Sequence, residues 1–398
     1  MEKNMKIVHI TPSAPYNDYW GYQDNLLPKY HKKLGHDVSV ITTNTQHKDE
    51  KIIEISCGDY TLDDGVRVIR RARKKYFHPT ISGLNSKLEI YDILKELHPD
   101  FIFFHGLVSH SIDDVIKYKK ENPSCIVVQD NHMDYINHIR NSTIKDKIVR
   151  TYYRLHNQQS IKYVEKVYGV TPWRKQYAED YFKIPKSKTD VLIMGADDEK
   201  IDFEHKVKIR SSLREKHGIT SDDFLIVTGG KIDEKKNIHL LMQACSEMKN
   251  VKLLIFGNVA DDFKNVFETF LKSDNIIYIG WIASDEVYNY FFASDLVFFP
   301  GQHSVLWEQA CAAKVPCVFK RFPGMEHVNN GGNSDFIDVI TVESLKNEIQ
   351  ELHFTEKYYK MKTVAESEKT DIYLYSNIAW KSLECVRESE LSLATNQK

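Results

Sequence analysis

The stretch DFLIVTGGKIDEKKNIHLLMQA (223–244) sets an apolar, β-branched run against a glycine pair, then a charged turn and an amphipathic segment. Ile238, Leu241, Met242 and Cys245 recur at helical spacing, so the stretch reads as a β-strand feeding a helix. The rhythm continues in VKLLIFG (251–257), NIIYIGW (275–281), DLVFFPG (295–301) and VPCVF (315–319). It also runs through the first half, in KIVHIT (6–11), HDVSVIT (36–42), DFIFFHG (100–106), CIVVQD (125–130), KVYGV (166–170) and DVLIM (190–194). Strand-like runs alternating with helical segments build parallel sheets from βαβ units. The expected fold class is therefore α/β, with two doubly wound, Rossmann-like domains facing a cleft. A charged, strand-free stretch (194–219) separates the halves. It places domains at 1–197 and 198–370, with 371–398 as a C-terminal helix returning to the N-terminal domain and a frayed tail.

Size and charge narrow the function. A chain of 398 residues exceeds one ordinary core. With 54 basic and 56 acidic residues, it has no global field to recruit nucleic acid. Six cysteines without a CxxC pair read as reduced thiols in a cytoplasmic protein. No run approaches the ~18 apolar residues of a spanning helix, which leaves a soluble or peripheral protein, possible at the inner face of a membrane.

Ligands of open α/β sheets bind beyond the carboxyl ends of the strands, so residues following strands are the candidates. Gly229 and Gly230 permit a tight turn after FLIVT, and Lys231, Lys235 and Lys236 crowd the next helix start, where a bound anion offsets their opposition to the helix dipole. The same lysines also fit a solvated face balanced by Asp233 and Glu234. No GxxxxGK[ST] loop is present. In FFPGQHSVLWEQACAAKVPC (298–317), Pro300 and Gly301 stop a strand and Ser304 is the expected N-cap of a helix running to about Lys314. The backbone N–H groups of Ser304, Val305 and Leu306 are then available to a phosphate. Glu308, one turn in, can accept hydrogen bonds from two adjacent hydroxyls, as on a ribose, or else pairs with a neighbouring cation or points to water.

Taken in order, these motifs resemble the nucleotide-sugar glycosyltransferases of family 4, the bacterial polysaccharide type, which have the GT-B fold. The resemblance implies an N-terminal acceptor domain and a C-terminal donor domain. It implies that Gly230, Lys231 and Lys236 hold the donor diphosphate and that Glu308 is the ribose ligand, the second acid of an E-x7-E pattern. KLGHDVSVIT (33–42), PDFIFFHG (99–106), IMGAD (193–197) and IIYIGWI (276–282) match as well, the last drawing Trp281 and Ile282 into the donor site. Pro300 stands where the first acid belongs, and Gln302 or His303 is the candidate replacement, so retention of anomeric configuration is less firmly implied. In the first domain Gly21 and Tyr22 fall in the family's first loop. His132, after the fifth strand, is the favoured residue beside the donor sugar, ahead of Asp130 and Asp134, and His105 is a candidate cleft residue.

The chemistry implied is transfer of a sugar from a nucleoside diphosphate sugar, UDP favoured, to a glycan or lipid-linked acceptor. His132, Lys231 and Lys236 are the catalytic candidates. No metal and no other cofactor is expected, because the lysines neutralise the leaving diphosphate. The basic run RVIRRARKKYFHP (67–79) offers Arg70, Arg71, Lys74 and Lys75 to a lipid-linked acceptor or anionic membrane, or else protects an edge strand. A sugar-nucleotide epimerase of the same fold and a non-catalytic sugar-nucleotide-binding protein are the alternatives.

Overall fold

In the computed structural model, residues 4–48, 51–75, 86–136 and 143–387 are described. The chain forms two units, Met1–Ile193 with Ile378–Lys398, and Met194–Asn377. The first division falls where the charged stretch begins, and the second lies within the helix Tyr375–Ser382.

The first unit contains β1 (Lys6–Thr11), β2 (Asp37–Thr43), β3 (Thr45–Lys48), β4 (Lys51–Glu54), β5 (Gly58–Thr61), β6 (Arg67–Arg71), β7 (Lys74–Lys75), β8 (Ser86–Lys87), β9 (Phe101–Phe104), β10 (Ile126–Asn131), β11 (Lys166–Gly169) and β12 (Thr189–Val191). Its main sheet has the order β12-β11-β10-β9-β1-β2-β6-β5. All neighbours are parallel except β5, which runs antiparallel to β6. Every residue of β9 is buried, as expected where helices cover both faces of a parallel sheet. Ile102 and Phe104 join Ile10, Leu94, Val115, Val127 and Tyr177 in one core cluster, each large side chain contributing about 1.5–3 kcal/mol of burial.

The second unit contains β13 (Phe224–Gly229), β14 (Val251–Phe256), β15 (Ile276–Tyr278), β16 (Leu296–Phe299), β17 (Cys317–Lys320) and β18 (Ser334–Ile337). They form a parallel sheet of order β15-β14-β13-β16-β17-β18. The helix Ile238–Ser246 buries Ile238, Leu241, Met242 and Cys245 against it, the face its spacing predicts. Because these strands are parallel, Gly229, Phe256, Tyr278 and Phe299 all end at one edge.

Candidate functional site

At that edge of the second unit three loops meet. Gly230 has φ +105°, and a Cβ there would lie 3.1 Å from Leu306 Cδ1, so both conformation and space favour glycine. A Cβ on Gly301 would stand 2.3 Å from Lys236 Cα, so the Pro300–Gly301 turn and the lysine-bearing turn touch backbone to backbone. Asn237 Nδ2 donates to Pro300 O at 2.9 Å, and Lys236 Nζ to Gln302 O at 2.6 Å. Burial lowers the Lys236 pKa, with Asp233 opposing. Lys231 is exposed beside it. Gly257 N donates to Gly280 O at 2.7 Å, which ties the exposed Trp281 and the half-buried Ile282 to the same edge.

The helix expected to start at Ser304 instead spans Leu306–Ala312, with Val305 as N-cap and no side-chain cap. Ser304 contributes its carbonyl, which accepts from Trp307 N at 3.0 Å. The chain turns one residue later than its serine suggests because 300–302 are held against Lys236 and Asn237.

Glu308 is fully buried. Its Oε1 accepts from His303 Nε2 at 2.8 Å and from His327 Nε2 at 2.7 Å. Its Oε2 is buried with no hydrogen-bond partner, a costly state for a carboxylate oxygen. Burial pushes its pKa up, but the imidazoles of His303 and His327 outweigh this and hold it at about 2. His327 was not singled out in the sequence. It lies in the short turn Glu326–Val328, whose His327 carbonyl accepts from Tyr373 OH at 2.7 Å. His303 thus serves Glu308, and of the two candidates for the absent acid's place it is the one whose Nε2 is committed.

In the first unit, Asp130 is the last residue but one of β10, with its side chain fully buried. It accepts from Gly106 N at 2.7 Å, His105 Nδ1 at 2.8 Å and His132 Nε2 at 3.3 Å. Asp130 is therefore the hub that orients His105 and His132. Asp134 instead pairs with Arg174 Nε at 3.2 Å. Asp24, in the first turn of the helix Gln23–Lys33, went unnoticed in the sequence; burial raises its pKa, while His105 and His132 oppose. Tyr22 precedes that helix as its N-cap, exposed together with Gly21.

The basic run is mixed, with Arg70 buried and Lys74 exposed. Arg70 is 1% exposed, since β6 is an interior strand. Its guanidinium donates to Tyr60 OH at 2.6 Å, Tyr16 O at 2.9 Å, Thr43 O at 3.3 Å and Asp18 Oδ1 at 2.8 Å. Arg71 Nη1 donates to Arg70 O at 3.0 Å, and Lys74 Nζ pairs with Glu89 at 3.1 Å. The side chain of Lys75, and Tyr76 and Phe77, lie outside the described residues.

Two side-chain sets among the described residues bring three ligand atoms within 4.8 Å of one another: His303, Glu308 and His327, and His110, Asp113 and His156. In the first, both imidazoles already direct Nε2 at one carboxylate oxygen, which is a hydrogen-bonded clamp.

Residues 209–366 match the family model "Glycosyl transferases group 1". The chain is 23% identical over 253 residues to the processive diacylglycerol alpha-glucosyltransferase of Acholeplasma laidlawii, covering 58% of this chain and 71% of that protein. A glycosyltransferase from Rickettsia africae superposes with a TM-score of 0.68 at 17% identity, over 97% of this chain and 98% of that one. Anabaena HepE in complex with UDP-glucose superposes with a TM-score of 0.60 at 15% identity, over 97% and 100%. The two parallel α/β sheets match the GT-B fold of glycosyltransferase structures.

Proposed function

We propose that this chain, whose residues 209–366 match the glycosyl transferase group 1 model, moves a sugar from a UDP-sugar to a lipid-linked or glycan acceptor. The observation that carries this is the buried Oε2 of Glu308, which has no hydrogen-bond partner, on the helix whose Leu306 lies against Gly230. A carboxylate pinned through one oxygen and bare at the other suits a ribose hydroxyl pair, whose hydrogen bonds offset the desolvation cost. Lys236, Lys231 and the N–H groups of Ser304, Val305 and Leu306 face the diphosphate. As the bond from the sugar C1 to the diphosphate oxygen breaks, the negative charge left on that oxygen is stabilised by these donors, with no metal required. Gln302 takes the sugar hydroxyls in place of the absent acid, and retention of configuration is the expected outcome. On the first unit, His132, oriented by Asp130, is the residue that the family resemblance assigns to the donor sugar. UDP-glucose bound to HepE, a structural neighbour, supports the choice of donor.

A thermal-shift series with UDP-, GDP-, ADP- and TDP-sugars should show stabilisation by UDP-sugars alone. UDP should then be released only when acceptor is added. Release without acceptor would favour an epimerase, and no release with any acceptor a sugar-nucleotide-binding protein.

A lipid acceptor is the favoured class, supported by the diacylglycerol substrate in the relative's name. A second candidate membrane-facing element lies outside the basic run, whose Arg70 is buried. On the helix Ile144–Ser160, Ile144, Ile148, Tyr152 and Leu155 are all exposed, 42–79%. Their spacing of four, four and three puts them on one face, and Lys147, Arg150 and Arg154 run along its flank. Each such cation near an anionic surface is worth about 1 kcal/mol. No helix among the described residues is long and apolar enough to cross a membrane. The double variant Ile148→Asp, Leu155→Asp should lose co-sedimentation with anionic vesicles by about tenfold or more; undiminished sedimentation would remove this helix from the account.

A further inference from the structure

The first unit holds a feature that goes beyond the sugar-transfer reading and does not depend on it. Three imidazoles cross its interior in single file. His105 Nδ1 is 2.8 Å from Asp130 Oδ2, and His105 Nε2 is 3.2 Å from His9 Nδ1. His9 Nε2 is 2.9 Å from His31 Nδ1, and His31 Nε2 is 3.2 Å from the Ala379 carbonyl oxygen. His9, His31 and Asp130 are fully buried.

The two ends fix how many protons the file must carry. A carboxylate and a backbone carbonyl only accept. Ser382 Oγ lies 2.7 Å from both His31 Nε2 and Ala379 O, and its single proton serves one or the other; with that proton on the carbonyl, His31 meets Oγ as an acceptor. Each of the four contacts from Asp130 to Ala379 needs one proton. Three neutral imidazoles supply one N–H each, leaving one contact as two facing lone pairs. We propose that the fourth proton resides on His105, an imidazolium paired with Asp130, and that His9 and His31 are positioning residues that impose this charge from the C-terminal helix.

The charge belongs on His105 because only that ring touches a carboxylate; on His9 or His31 it would sit buried without a counterion. Burial drives His9 well below the ordinary histidine range and His31 down to about 3. Burial lowers His105 too, but Asp130 and then Asp24 outweigh it and the net shift is upward. The other groups facing the file are His132 beyond Asp130 and His36, whose ring centroid is 6.5 Å from that of His31. With His105 charged, Asp130 stays ionised and accepts from His132 Nε2. A raised pKa contributes stability that is full below the unfolded value near 6.5 and is lost as pH rises through the folded value.

Ring ¹⁵N NMR of the ligand-free protein at about pH 8, above the ordinary histidine range, tests the proton count. His105 should show both nitrogens protonated, and His9 and His31 one each. His31→Leu lets His9 reverse its tautomer, so His105 should become singly protonated. His31→Gln, which can donate to Ala379 and accept from His9, should restore the double protonation, and Ser382→Ala should leave it intact. A singly protonated His105 in the unaltered protein overturns the proposal, whether or not any variant folds. Retention of both protons in His31→Leu, or their loss in Ser382→Ala, overturns the assigned role of His31. None of these signals requires UDP or acceptor, so failure of the donor assignment leaves the result readable.

Discussion

Glu308→Gln is expected to weaken binding of UDP by about 10- to 100-fold, the span of a lost charge-assisted hydrogen bond or two. The corresponding 2′,3′-dideoxy nucleotide should lose far less, because it presents no hydroxyls to Oε2. Glutamine keeps the volume, and its oxygen can still accept from His303 and His327. Its amide then places donors where the carboxylate offered a second acceptor. Calorimetry on the two nucleotides checks this, and equal losses would remove Glu308 from the ribose. The same variant has a stability signature. A depressed carboxyl pKa contributes stability that is full above the unfolded value and lost as pH falls through the folded one. For Glu308 that window runs from the ordinary 4.5 to about 2, corresponding to about 3 kcal/mol. Glu308→Gln should therefore flatten the acid limb of the unfolding profile.

Much of this site was legible because its chemistry is local in sequence. The strand, glycine pair and lysines of 223–244 appear in the folded chain as β13, a left-handed Gly230 and a half-buried Lys236. Glu308 stands out as a carboxylate among small residues behind a Pro-Gly stop, and the helix that carries it ends just before Lys314, at φ +58°. What escaped reading depends on residues distant in sequence. His327 reaches Glu308 across 19 residues, and nothing in its own neighbourhood sets it apart. His9, His31 and His105 look like three unrelated histidines. They align because β1 pairs with β9, where His9 lies opposite Phe103, and because the C-terminal helix supplies Ala379.

Arg70 shows the opposite error. A run of cations reads as surface, and composition alone supports that. Yet β6 lies inside its sheet and buries Val68, Ile69 and Arg70 together. The cation is tolerated there because Asp18, Tyr60 and two carbonyls occupy its donors. Their positions near 16–18, 43 and 60 gave no signal of convergence.

Lys236→Met should weaken UDP by about 10- to 100-fold, again the span of a charge-assisted contact, yet leave the ligand-free protein at least as stable. The two halves of this expectation have one cause. Burial lowers the Lys236 pKa, with only Asp233 opposing, so its ammonium is held in the folded protein at a cost. A diphosphate supplies the missing anion and reverses that sign. Methionine fills the aliphatic volume without the charge, and the half-buried Gln302 can offer its carbonyl to water instead. Lys231→Met should cost less, because an exposed lysine meets its phosphate through solvent. UMP should be nearly indifferent to either change, since it lacks the second phosphate. A melting temperature that falls in Lys236→Met while UDP affinity holds would make this lysine a structural strut for the Gln302 turn and move diphosphate recognition elsewhere.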